Sequence, residues 1–169
     1  FAAHGTALGN SLVEPDAVET ARALLANGGD KLVLPIDAVL GDKFDDNANT
    51  QTIDVADGVP DGWAIYDIGP KTVAHFKEVL ANAETIVWNG PMGVFEKKPF
   101  AAGTHAVAAL LAERTKQGAV SIIGGGDSVA AVEDAGLADQ ITHISTGGGA
   151  SLEMLEGKVL PGLAALKDK

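Results

Sequence analysis

Val120-Ser-Ile-Ile-Gly-Gly-Gly-Asp-Ser-Val-Ala-Ala131 decides the fold. Four residues suited to a buried strand run into three glycines, and Asp127 and Ser128 then open a helical stretch that reaches about Ala135. The same order stands on either side. Thr85-Ile-Val-Trp88 is followed by Asn89-Gly-Pro-Met-Gly93 and a helix expected from Ala102 to Lys116. Ile141-Thr-His-Ile144 is followed by Ser145-Thr-Gly-Gly-Gly149 and a short helix expected from Ala150 to Leu155. Strand, glycine turn, helix, three times over, predicts a doubly wound α/β fold: a mostly parallel sheet with helices on both faces.

Upstream the pattern is less regular. Val18, Ala21, Leu24 and Leu25 make an apolar stripe that predicts a helix from Pro15 to Asn27, stopped by Gly28-Gly29. Lys31 to Leu40 reads as a buried strand interrupted by Pro35, hence bent or split into two pieces. Thr52 to Val55 reads as a short edge strand in a turn-rich stretch. Pro70 suits a helix's first turn, with Val73, Phe76, Val79 and Leu80 as its stripe. No interior linker divides the chain, so residues 1–169 are expected to form one unit.

Composition narrows the function classes. The chain carries 12 Lys and Arg against 23 Asp and Glu, a net charge of −11, which argues against a nucleic-acid surface. With no cysteine there is neither a disulfide framework nor a thiolate metal site. No apolar run is long enough for a membrane span, and no signal peptide is visible. The first residue, Phe1, points to a processed chain or a fragment.

Eight of the 21 glycines lie in the three turns that follow the strands. In open parallel sheets, ligands bind beyond the carboxyl ends of the strands. Glycine there lets a ligand approach backbone N–H groups, and the next helix aims its unpaired donors and positive dipole end at the same place. Such an arrangement suits phosphate, even in an acidic chain, when a divalent cation shares the site. Asp127 is placed to contribute a carboxylate beside phosphate oxygens, and Asp127 and Ser128 also suit helix N-caps.

Other motifs are incomplete. There is no G-x-x-x-x-G-K-[ST] loop, and Val129 stands where the third glycine of G-x-G-x-x-G belongs. Asp45, Asn47 and Asn49 begin like a calcium loop, but Thr50 and Ala56 replace its glycine and closing glutamate. The four histidines are scattered. Gly126-Asp-Ser-Val-Ala130 approaches a nucleophile elbow, with Asp139 and His143 in the order of a hydrolase triad. His143, however, is expected to be a packed strand residue, which disfavours an acyl hydrolase built on Ser128. A noncatalytic nucleotide- or phosphate-binding module is the third reading.

Several long motifs, in order over essentially the whole chain, resemble the phosphoglycerate kinase family. They are Ser11-Leu-Val-Glu14, Leu34-Pro-Ile-Asp37, Asp42-Lys-Phe44, Asp67-Ile-Gly-Pro70 and Trp88-Asn-Gly-Pro-Met-Gly-Val-Phe-Glu96. Ile123-Gly-Gly-Gly-Asp-Ser-Val-Ala-Ala131, His143-Ile-Ser-Thr-Gly-Gly-Gly-Ala-Ser-Leu-Glu153 and Leu155-Glu-Gly-Lys-Val-Leu-Pro-Gly162 complete the set. The resemblance implies a Rossmann-like nucleotide domain, incomplete at its N-terminal side. It implies phosphoryl transfer between 1,3-bisphosphoglycerate and Mg-ADP, giving 3-phosphoglycerate and ATP. The triose would be bound by an N-terminal domain for which this sequence has no counterpart, and the tail from about residue 157 would pack toward it. The chain alone is therefore expected to be inactive; a cytoplasmic monomer is expected of the family.

Residue by residue, the resemblance assigns Glu96 to the ribose hydroxyls, and Asn89, Pro91, Gly93 and Val94 to the nucleotide's ribose, base and phosphate side. Gly125 and Gly126 would offer N–H groups to the moving phosphoryl, Asp127 would ligate Mg²⁺, and Ser128 stands where the family often has threonine. Phe44, Ile65 and Tyr66 match the base-pocket region more loosely. Ile65 departs from a common glycine, which predicts a reshaped adenine slot. Thr146 to Gly149 would lie near the hinge and the transferred phosphate.

Overall fold

The computed structural model describes residues 1–166; Lys167, Asp168 and Lys169, the end of the expected tail, lie outside the described residues. The chain divides into two compact units. One comprises Phe1–Val79 with Met92–Ala106, the other Leu80–Pro91 with Val107 onward.

The first unit holds an antiparallel sheet. Strands β1 (Asp37–Gly41), β2 (Thr50–Asp54) and β3 (Ala64–Ile68) lie in the order β2-β1-β3. β2 lies at the edge of this sheet but runs from Thr50 to Asp54 rather than from Thr52 to Val55, because Val55 opens a 3-10 turn; Asp37 pairs with Asp54 through Gly41 with Thr50. Ala38, Leu40 and Val59 form the centre of the core, with Phe1, Ile53, Trp63 and Ile65 packed against them. Gly41 makes room for aromatic rings: a Cβ there would lie 2.5 Å from Phe100 Cζ.

The run from Lys31 to Leu40 is not one strand. Only the part from Asp37 pairs, and Leu32, Leu34 and Ile36 are exposed. Pro35 has no N–H to donate, and the N–H groups of Ile36 and Asp37 both go to Thr72 Oγ1, at 3.0 and 3.1 Å. Helix α1 (Val18–Gly28) follows a 3-10 turn at Pro15–Ala17, and Gly29 at φ 50° ends it.

Helix α2 (Pro70–Leu80) begins where predicted, and its start is capped from a distance. The buried Asp37 carboxylate accepts the N–H groups of Lys71 (2.9 Å) and Thr72 (2.7 Å), two of the donors that every helix start leaves unpaired. Burial alone would raise the Asp37 pKa, but these bonds and the Thr72 hydroxyl hold it below the ordinary carboxylate value.

The second unit is built on a parallel sheet flanked by helices, as the repeated glycine turns require. β4 (Thr85–Asn89), β5 (Val120–Gly124) and β6 (His143–Ser145) lie in that order. Thr85 pairs with Val120 through Asn89 with Gly124, and Ile122 with His143 through Gly124 with Ser145. Helix α3 (Ala102–Lys116) leads into β5, and its Val107, Ala108, Leu110, Leu111 and Ala112 are buried. Helices α4 (Gly126–Asp134), α5 (Gly148–Leu155) and α6 (Pro161–Ala164) follow.

β6 begins two residues later than its sequence suggests. Thr142 donates its N–H to Ser121 Oγ (3.0 Å), and Ser121 returns its own to Thr142 Oγ1 (3.1 Å). These side-chain bonds replace the ladder at that level. His143 is exposed rather than packed, because it opens a three-residue edge strand whose only strand neighbour among the described residues is β5.

Candidate functional site

In the second unit, the three glycine turns come together at the carboxyl ends of the strands. Asn89 closes β4 and its side chain reaches the other two turns. A Cβ on Gly125 would lie 2.9 Å from Asn89 Oδ1, and one on Gly148 would lie 2.7 Å from the same oxygen. The Gly148 position would also meet Gly125 Cα and N at 2.7 Å. Any side chain at either position would therefore push the turns apart. The Gly125 N–H, donated to the Ser145 carbonyl at 3.1 Å, ties the β5 turn to the end of β6.

Gly125, at φ 92°, is the N-cap residue of α4, and no side chain among the described residues caps that helix. The sequence places Asp127 and Ser128 as caps; both lie instead inside the first turn. The difference follows from Gly125, whose left-handed backbone turns the corner one residue earlier than a side-chain cap would. Asp127 is exposed in that first turn, and its carboxylate has no partner among the described residues. Ser128 is fully buried, and its Oγ accepts the Gly90 N–H at 2.6 Å. Asp139 and His143 are both exposed.

Among the described residues no group of three or more His, Cys, Asp or Glu side chains is placed to hold a metal ion. Asp127 presents a hard oxygen donor beside the unpaired N–H groups at the start of α4. Such a donor fits Mg²⁺, which binds through one or two carboxylates together with substrate phosphates rather than in an all-protein cage.

The first unit holds the remaining assigned residues. A cavity of about 1040 Å³ is lined by Phe44, Ile65, Tyr66 and Val94 together with apolar residues of the N-terminal segment such as Leu8 and Leu24. Phe44 is 56% exposed and its ring centroid lies 5.8 Å from that of Tyr66, which in turn lies 4.8 Å from Phe100. Ile65 is half-buried, lining the cavity while packing against the Ala38–Leu40–Val59 core.

The turn at Met92–Val94 is held from inside. Val94 donates its N–H to the Tyr66 carbonyl at 2.8 Å. Met92 and Gly93 donate theirs to the buried Thr104 Oγ1, each at 3.1 Å. Gly93 has no room for a side chain, since a Cβ would lie 2.3 Å from Asp67 Oδ1. Glu96, two residues further on, is exposed, and its carboxylate has no partner among the described residues. Of its neighbours, Lys97 sits 3.7 Å from Asp46 and over the Phe44 ring at 5.4 Å. Lys98 donates its backbone N–H to Asp46.

Asp67 is a buried titratable group with a strongly raised pKa. Burial pushes its pKa up to about 6, while N–H bonds from Gly103 and Ile68 and the His105 charge pull the other way. It takes the Gly103 N–H at 2.7 Å and so fixes the start of α3. Neither Asp67 nor Thr104 receives a role in the sequence reading. The available signals were glycines at 93 and 103 with no turn to explain the second, and a carboxylate inside an apolar strand.

Comparison with known proteins agrees with the motifs. The family model for phosphoglycerate kinase matches residues 1–158. A curated phosphoglycerate kinase of Chloroflexus aurantiacus is 56% identical over 169 residues, covering 98% of this chain and 42% of that protein. A chloroplastic phosphoglycerate kinase of Volvox carteri is 59% identical, covering 100% of this chain and 37% of that protein. The solved phosphoglycerate kinase of Coxiella burnetii superposes with a TM-score of 0.87 at 40% identity, over 96% of this chain and 42% of that one. The chain thus spans well under half the length of these relatives. Motif order, a family match over nearly the whole length and the shared fold together place this chain in the phosphoglycerate kinase family.

Proposed function

We propose that this chain supplies the Mg-nucleotide half of a phosphoryl transfer between 1,3-bisphosphoglycerate and Mg-ADP, giving 3-phosphoglycerate and ATP. The observation that carries this reading is the meeting of Asn89, Gly125 and Gly148 at one end of the parallel sheet. Side chains are excluded there, and the first turn of α4 presents unpaired N–H groups.

Under this reading Gly126 offers its N–H group to the transferring phosphoryl, whereas the Gly125 N–H, expected to do the same, is taken by the Ser145 carbonyl and Gly125 contributes only a side-chain-free approach. Asp127 holds the cation that the nucleotide brings, and the cation neutralises phosphate charge when bound. Asn89 and Pro91 flank the same turn. In the first unit, the apolar cavity and the Phe44 and Tyr66 rings suit a purine base, with Val94 and Gly93 beside it. The Glu96 carboxylate, free of neighbouring lysines, suits two ribose hydroxyl donors. Ser128 acts through its bond to Gly90, and its burial favours no nucleophilic role.

The reaction asks little covalent chemistry of the protein. The transition state spreads charge over the equatorial phosphoryl oxygens, so rate comes from alignment and from donors placed where charge develops. No protein nucleophile is required. We assign recognition of 3-phosphoglycerate to the part of the longer relatives that this chain does not span. Among the described residues no helix is long and apolar enough to cross a membrane. The cytoplasmic monomer remains an expectation drawn from the family alone.

The test is calorimetric titration of the chain with ADP, with and without Mg²⁺, for wild type and Asp127→Asn. Loss confined to the metal-dependent part of the affinity supports the reading. Equal loss with and without metal, or no ADP binding by the wild-type chain, contradicts it.

A further inference from the structure

We propose that Thr104 is a positioning residue: its buried hydroxyl holds the Met92–Val94 turn in the shape that receives the nucleotide. The proposal rests on the nucleotide reading above and deepens it.

A threonine in the first turn of a helix ordinarily caps its own backbone or faces solvent. Thr104, third residue of α3, does neither. It is 0% exposed, and its Oγ1 accepts two N–H groups from a separate turn ten to twelve residues earlier in the chain. With the Val94 N–H taken by Tyr66, three consecutive backbone donors all point inward. The turn therefore offers a ligand no main-chain N–H from residues 92 to 94. What it offers instead is the Val94 side chain, lining the apolar cavity, and the Glu96 carboxylate just beyond.

The anchor is itself anchored. Asp67 fixes the start of α3 through the Gly103 N–H. Gly93 and Gly103 both lack the side chain that would strike that carboxylate, each at 2.3 Å. Strand β3 thereby supports the helix start, and the helix start supports the turn. Losing the Thr104 oxygen would leave two donors unmatched, and the turn would escape to find water.

The experiment compares wild type with Thr104→Val, which keeps the shape and loses the acceptor, and with Thr104→Ser, which keeps the acceptor. Amide hydrogen exchange at Met92 and Gly93 is measured beside Mg-ADP affinity. The valine variant is expected to exchange those two amides at least tenfold faster while the Phe100 amide keeps its rate. Its affinity is expected to fall about tenfold, and serine to restore both. Unchanged exchange at Met92 and Gly93, unchanged affinity despite faster exchange, or a serine variant as weak as valine would overturn the proposal. Should the valine variant not fold, Thr104→Cys, whose sulfur is a weak acceptor, carries the same expectation in milder form. If the wild-type chain itself fails to bind Mg-ADP, the nucleotide reading falls, and the exchange comparison decides alone whether Thr104 holds the turn.

Discussion

Ser128 Oγ accepts the backbone N–H of Gly90 at 2.6 Å, from a side chain that is fully buried. The bond joins the first turn of α4 to the turn that follows β4, so two of the three glycine turns share one hydroxyl. Replacing Ser128 with alanine strands the Gly90 donor. A destabilisation of about 1–3 kcal/mol is expected, read as a lowered midpoint in chemical denaturation. The same burial predicts that a fluorophosphonate probe does not label Ser128 in the folded chain.

Gly148 tests whether the turns must touch. A Cβ there meets Gly125 backbone and Asn89 Oδ1, all at 2.7 Å, so something must move. Gly148→Ala is expected to lower stability by roughly 1–3 kcal/mol, as overpacking does, and to weaken nucleotide binding. Gly149→Ala is the control, because a Cβ at that position meets nothing within 4 Å. Equal stability and affinity for the two variants would show that the contact is not needed.

Asp67 gives a pH signature. Its pKa is raised from 3.8 to about 6 by burial, so the folded state holds the proton more tightly than the unfolded state does. Its contribution to stability is therefore fully present below about pH 4 and is lost as pH rises through about 6, a change of roughly 3 kcal/mol. Asp67→Asn keeps an acceptor for Gly103 and removes the charge. Relative to wild type, the asparagine variant is expected to gain stability between pH 4 and 7. Parallel stability profiles for the two proteins would contradict this.

Asp37 behaves in the opposite sense, since hydrogen bonds from α2 outweigh burial and hold its pKa below 3.8. Its contribution is present above that value and is lost only as pH falls below it. Asp37→Ala leaves the Lys71 and Thr72 N–H groups uncapped, and a loss of about 1–3 kcal/mol is expected at neutral pH, measured by denaturant unfolding.

Much of the second unit is legible in the sequence because its signals are local. Thr85 to Trp88, Val120 to Ile123 and the glycines after them announce strand and turn without help from distant residues. The misplaced start of β6 came from a long-range event, the Ser121–Thr142 exchange, which no periodicity encodes. The Lys31 to Leu40 run misled for a related reason. Its apolar residues suggest burial, but Pro35 and the Thr72 hydroxyl remove the first half from the ladder. In the candidate site, Gly125 and Asp127 could be singled out from their place after a strand. Thr104 and Asp67 could not, because each acts on backbone far away in sequence, at Met92 and Gly93 or at Gly103.

The central claim is that main-chain donors at the start of α4 receive the nucleotide's phosphates. Backbone amide chemical shifts, followed while Mg-ADP is added to the isotopically labelled chain, test it most directly. Saturable changes are expected, largest at Gly126 and Asp127, with smaller ones at Asn89, Gly125 and Gly148. Saturable binding that leaves those amides unmoved, or no binding at all, would contradict it.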